Sequence, residues 1–349
     1  SMHAKSLASG VMDARLPRRK GPSLRQELNI HRHAGLELAF PFGGLPFEDN
    51  VHLREEKSGA MKIDVQVVNA FIEGGQGGNP AGVVLDADHL TASRKQQIAA
   101  GVGLSETAFV SSSTAADFKL EFYTPTRQIA HCGHATIAAF SYLHQLKRIP
   151  SAATSKETID GNRNIFMDGD MTFMEQLAPR YRPIEDAMPR IRASLGISGE
   201  AFPPDTRPLI VDTGNAFLMV PLASISAVEG AKPDFEAIEA ISEAWDLIGY
   251  YIFSTAPQTP GRDAGARMFA PRFGIAEEAA TGMAAGPLGC YLYDKMGVHK
   301  TVFHIGQGHL MQPPSPSVIE VRLTVADGRI SGLLAGGKAK HMSTITITL

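Results

Sequence analysis

The chain has 349 residues, a formal net charge of −3, 44% hydrophobic and 20% charged residues, and only two cysteines, Cys132 and Cys290. That length suggests two domains, and the ordinary globular composition excludes collagen, coiled coil and wholesale disorder. No basic face marks nucleic acid as a partner, no apolar run approaches the roughly 18 residues that span a bilayer, and two cysteines build neither a disulfide framework nor a structural zinc site. A cytoplasmic protein with a small-molecule ligand is expected, with no nucleic-acid or membrane partner.

Residues 1–60 read as a mobile N-terminal extension, with seven Lys/Arg against two Asp/Glu in the first 33 residues and no apolar signal-peptide core. Ser1-Met2 reads as a tag-removal scar and Met61 as the start of the folded part. From Lys62, "KIDVQVVNAF" alternates as a strand, and Gly-rich "EGGQGGNPAG" turns the chain into apolar "VVL". Thr91 caps a helix whose "SRKQQIAAGVG" ends on glycines. "ETAFVSSS" and "FKLEFYTP" follow as strands, and "GHATIAAFSYLHQLK", apolar all round, predicts a buried helix. The second half predicts helices at "IEDAMPRIRASLG" and "KPDFEAIEAISEAW" and strands at "PLIVDTGNAFLMVPL", "YYIFST" and "ARMFAPRF". Strands and helices mix without a strict βαβ rhythm, which places the fold in the α+β class.

The halves echo one another. A shift of 146 residues lays "TPTRQIAHCGHATIAA" on "APRFGIAEEAATGMAA", and "GNPAGVVL" at Gly78 resembles "GNAFLMVP" at Gly214. Two blocks in the same order predict a duplicated domain with a cleft between the copies.

In each copy a small-residue turn opens an apolar helix, at about Gly133 and Gly282. Unpaired N–H groups and the helix dipole make each turn an anion site, and the small Gly133, Ala135, Thr281 and Gly282 let a ligand touch backbone. Glu106, between two runs that read as buried, suits general acid/base work. His134 lies in the first helical turn, where the dipole favours the neutral imidazole. His131, Cys132 and His134 converge on zinc only with an unusual backbone, so no metal is expected. Cys132, at a helix N-terminus, is a candidate nucleophile or racemase acid. The 146-residue shift sets Glu278 opposite it, which argues against a two-thiol mechanism.

The motifs "GNPAGVVLDAD", "LSETAFV", "FYTPTRQIAHCGHAT", "EEAATGMAAGPLGCYL" and "GQGHLMQPPS" together resemble the PhzF-like phenazine biosynthesis family, which shares its fold with diaminopimelate epimerase. The resemblance implies two pseudo-symmetric domains, each a barrel-like sheet around a central helix: residues 61–172, joined by a returning strand at about 336–349, and residues 173–335. It also implies a homodimer that uses no cofactor or metal and moves a proton on a small carboxylic acid. The proton carrier is then Glu106, assisted by His134 and Glu278, with Asn79, Gly133, Ala135, Thr281, Gly282 and Met283 at the substrate. Glu278 stands where the family usually has Asp, Ala279 where it has Pro, and Met283 where it has Ser. The rival expectations are an amino-acid racemase using Cys132 and a catalytically degenerate protein that binds small acids.

Overall fold

The computed structural model describes residues 61–349 except 150 and 258; the expected extension 1–60 lies outside the described residues. In chain order the first half gives β1 (Lys62–Ala70), β2 (Asn79–Val84), α1 (Ala92–Val102), β3 (Thr107–Ser111), β4 (Phe118–Tyr123), β5 (Gln128–Ile129), α2 (Gly133–Gln145), β6 (Ala153–Thr158), β7 (Gly161–Asp168) and β8 (Met171–Leu177). The second gives β9 (Arg180–Pro183), α3 (Met188–Leu195), β10 (Leu209–Asp212), β11 (Ala216–Pro221), α4 (Ile225–Gly230), α5 (Phe235–Trp245), β12 (Gly249–Ser254), β13 (Ala264–Ala270), β14 (Ile275–Glu278), α6 (Gly282–Asp294), β15 (Val302–Gln307), β16 (Ser317–Ala326) and β17 (Arg329–Thr348).

Local chemistry explains several boundaries. Thr91 accepts a hydrogen bond from the Arg94 N–H at the start of α1, and Gly103 ends that helix in the left-handed region, φ 69°. Asp234 caps α5 in the same way from the Ala237 N–H. The run "PLIVDTGNAFLMVPL" is a hairpin rather than one strand, because Gly214, at φ 110°, turns β10 back antiparallel onto β11.

The strands pair in the same order in each half. β2 lies parallel to β3 and β11 parallel to β12; β4 runs parallel to β6 and β13 parallel to β15. β1, β2, β3, β4, β6, β7 and β8 close into an eight-strand barrel through β17. β10 to β13, β15, β16 and β17 close the second through β9, which runs on from β8. A single 20-residue strand therefore serves both barrels: Gly332–Lys338 pairs with β8, and Ala339–Thr348 with β1.

α2 threads the first barrel and α6 the second. Buried residues cover every face of α2, as its uniformly apolar sequence predicts. Phe140 is fully buried there, and removing such a side chain from water is worth about 2–3 kcal/mol. One hydrophobic core takes in residues of both central helices, with smaller clusters beneath α1 and beneath α3 and α5. Among the described residues no helix is long and apolar enough to cross a membrane.

Candidate active site

The N-termini of α2 and α6 meet where the barrels touch. A Cβ built on Gly133 would lie 3.0 Å from the Met283 side chain, so the first turns of the two helices are in contact range. Neither N-cap residue, Cys132 or Thr281, caps its helix with its side chain. Both helix ends thus keep unsatisfied N–H groups, and both border one cavity of about 390 Å³.

Three ionisable side chains form a chain through this cavity. Glu106, just before β3, sets Oε2 3.4 Å from His134 Nε2, and His134 Nδ1 lies 3.2 Å from Glu278 Oε1. Glu106 and His134 are 5% and 4% exposed. Glu106 Oε2 and His134 Nε2 are buried without a hydrogen bond of good geometry, so both are open to a third group. Adjacent glutamates have separate jobs: Arg267 grips Glu277 through both carboxylate oxygens, at 2.8 Å each, and leaves Glu278 for the cavity.

Glu278 is held in place by its neighbours. The Thr281 hydroxyl donates to its carboxylate, and Gln307 Nε2 donates to its carbonyl at 2.7 Å and to Thr281 Oγ1 at 3.1 Å. Tyr251 OH and the Thr281 N–H both donate to Gln307 Oε1. Sequence reasoning missed Tyr251, which has no local signal. Gln307 stood within the quoted "GQGHLMQPPS", so the motif already contained it.

The protonation of His134 runs opposite to the sequence expectation. Burial alone would lower its pKa, but the adjacent Cys132 sulfur and the carboxylates of Glu278 and Glu106 outweigh burial and hold the imidazole well above its ordinary range. The helix dipole is the weaker influence because two carboxylates lie within about one hydrogen bond of the ring. Cys132 Sγ is 3.5 Å from His134 Nδ1, and burial pushes its thiol up.

The expected substrate residues separate in space. Gly133, Thr281, Gly282 and Met283 line the cavity. Ala135 is fully buried in the core, and Asn79 donates to the Ala280 carbonyl at 2.9 Å, holding the turn before α6 from the opposite barrel. The internal register is also corrected. Cys132 and Thr281 are the two N-caps, a spacing of 149, so the turn before α6 is three residues longer than a 146-residue shift allows. Thr281, not Glu278, is the counterpart of Cys132, and Met283 is the counterpart of His134.

Donor atoms of Glu106, Cys132 and His134 lie within 4.8 Å of one another. Cys132 Sγ lies nearest Nδ1 and Glu106 Oε2 lies 3.4 Å from Nε2, so the three groups cluster about one imidazole.

The two joined barrels thus hold a buried Glu–His–Glu chain at the N-termini of their central helices. A family model described as phenazine biosynthesis-like protein, PhzC-PhzF, matches residues 68–344, and the chain belongs to that family. It is 30% identical over 291 residues to the uncharacterized isomerase YddE of Escherichia coli O157:H7, covering 80% of this chain and 96% of that one. It is also 30% identical over 233 residues to trans-2,3-dihydro-3-hydroxyanthranilate isomerase of Pseudomonas chlororaphis, covering 65% and 78%. The Bacillus anthracis phenazine biosynthesis protein of the PhzF family superposes with a TM-score of 0.76 at 24% identity, covering 83% of this chain and all of that one. The chain is accordingly an enzyme of the isomerase class.

Proposed function

We propose that the protein isomerises a small unsaturated or cyclic carboxylic acid by moving one proton between carbons within the interbarrel cavity. The observation that carries this reading is the buried pair of unpartnered atoms, Glu106 Oε2 and His134 Nε2, facing one another across 3.4 Å beside two uncapped helix ends. The Glu106 carboxylate takes a proton from a carbon conjugated with the substrate acid. The negative charge that develops is met by the α2 and α6 amides and by the protonated His134, and Glu106 returns the proton at another carbon. Glu278 keeps His134 charged and oriented. A two-thiol racemase lacks its second sulfur, because Thr281 occupies the counterpart of Cys132.

Glu106→Gln keeps the shape of the side chain and removes the base. Incubation with unsaturated acids in deuterated water is expected to label product with the native enzyme. The variant should lose at least about 100-fold in exchange rate while still binding acid, in line with the usual contribution of a positioned base. Exchange at the native rate in Glu106→Gln would sink the reading.

A further inference from the structure

A second set of basic groups reaches the same cavity through His131 and is not used by the proton transfer. Lys156 of β6 is fully buried, and among the described residues no carboxylate comes within ion-pair distance of its ammonium. Its Nζ donates to Thr136 Oγ1 at 2.6 Å, lies 3.2 Å from His131 Nδ1, and sits 5.2 Å from the centre of the Phe122 ring. A lysine placed this way is costly unless an anion or a strong acceptor compensates it.

His131 connects that lysine to the cavity. It borders both the 390 Å³ cavity, which Arg127 and Asp160 also line, and an adjoining cleft of about 700 Å³ that Asp160 shares and Arg163 lines. Burial, and then the nearby Lys156 and Arg163 charges, hold its imidazole well below the ordinary range, so the ring is neutral. With Lys156 donating to Nδ1, the ring hydrogen resides on Nε2, leaving a donor polarised by the ammonium behind it.

We propose that His131 is a substrate-orienting donor, positioned by the buried Lys156, and that it binds a second anionic group on the substrate, making the preferred substrate a dicarboxylic acid. The inference rests on the carboxylate-binding cavity proposed above. One carboxylate lies at the α2 and α6 ends beside Glu106, and the other lies against His131, with Arg163 of β7 adding positive field and Asp160 in the β6–β7 turn opposing it.

The test compares trans-glutaconate with trans-2-pentenoate, which carries a methyl group in place of the second carboxylate, by calorimetric binding to the whole protein. The diacid is expected to bind native protein about tenfold more tightly, the size of one hydrogen bond to a charged group, and the ratio to fall to within about twofold in folded His131→Phe and Lys156→Met. His131→Gln, which keeps a donor, should hold an intermediate ratio. Burial brings Lys156 down to about 7, so the native ratio should also shrink as pH rises through that value, an outcome that needs no variant. Equal binding of the two acids by native protein, a ratio unchanged in both variants, or a ratio that does not vary with pH would overturn the proposal. Calorimetry does not depend on turnover: a preserved ratio without deuterium exchange refutes the isomerase reading alone, and exchange without a ratio refutes this one alone.

Discussion

His134 and Lys156 are two buried bases whose ionisation couples to stability in opposite directions. The neighbours of His134 raise its pKa in the folded state, so its stabilisation is fully present below the ordinary imidazole value of about 6.5 and is lost as pH rises through the higher folded value. Lys156 is depressed from 10.5 to about 7 by burial, so between those values the unfolded chain binds the extra proton and stability rises with pH. Urea unfolding across pH should separate the two. The stability lost in His134→Gln, relative to native, should be greatest near pH 6 and diminish in alkali. Lys156→Met should compare most favourably with native protein below pH 7 and lose that advantage toward pH 10.5. The sequence showed a histidine at a helix start and hence a dipole effect. It could not show the outcome, because Glu278 reaches the ring from 144 positions away and Glu106 from the residue before β3.

The two helix ends differ in how tightly they are packed. A Cβ on Gly133 would meet flexible Met283 at 3.0 Å, whereas one on Gly282 would meet the Phe71 ring at 2.9 Å. Phe71 is fully buried and held at φ 63°, so it has little freedom to withdraw. Gly282→Ala is therefore expected to destabilise by about 1–3 kcal/mol, and Gly133→Ala by less than about 1, read as shifts in the urea midpoint. Both helices were legible from their small-residue starts and uniformly apolar faces. β6 and β7 were not, since "ATSKETIDGNRN" carries charged residues where a strand signal needs apolar alternation. Lys156 occupies one of those inward positions, and only the barrel shows that it faces His131 rather than water. The three-residue difference between the turns was hidden as well, because chance matches at Ala138 and Ala139 favoured an ungapped alignment.

At the scale of the molecule, closure depends on pairing between the two ends of the described chain. β1 lies between β2 and the last ten residues of β17, with Lys62 opposite Thr348 and Ala70 opposite Ala339. Truncation after Lys338 removes that whole ladder and uncovers Val65 and Val68, both fully buried. The truncated protein is expected to lose its cooperative unfolding transition and to be cut rapidly by protease within residues 62–84. Retention of a native-like transition would show that the first barrel closes without its returning strand. No local pattern in "KAKHMSTITIT" identifies β1 as its partner, since the pairing spans nearly the full described length. Only the family resemblance anticipated it.

The shared strand also sets an order of events during synthesis. β17 follows every other described strand in chain order, so neither barrel can close until residues 329–348 have been made. At about 5–20 residues per second, β1 waits on the order of half a minute with one edge unpaired. An exposed strand edge is a template for mispairing, and the length of that wait sets how long β1 is open to it. The same delay keeps Glu106 and Glu278 from being locked beside His134 until β17 is in place, so a chain cut short before residue 329 lacks the strand that joins the barrels around that site.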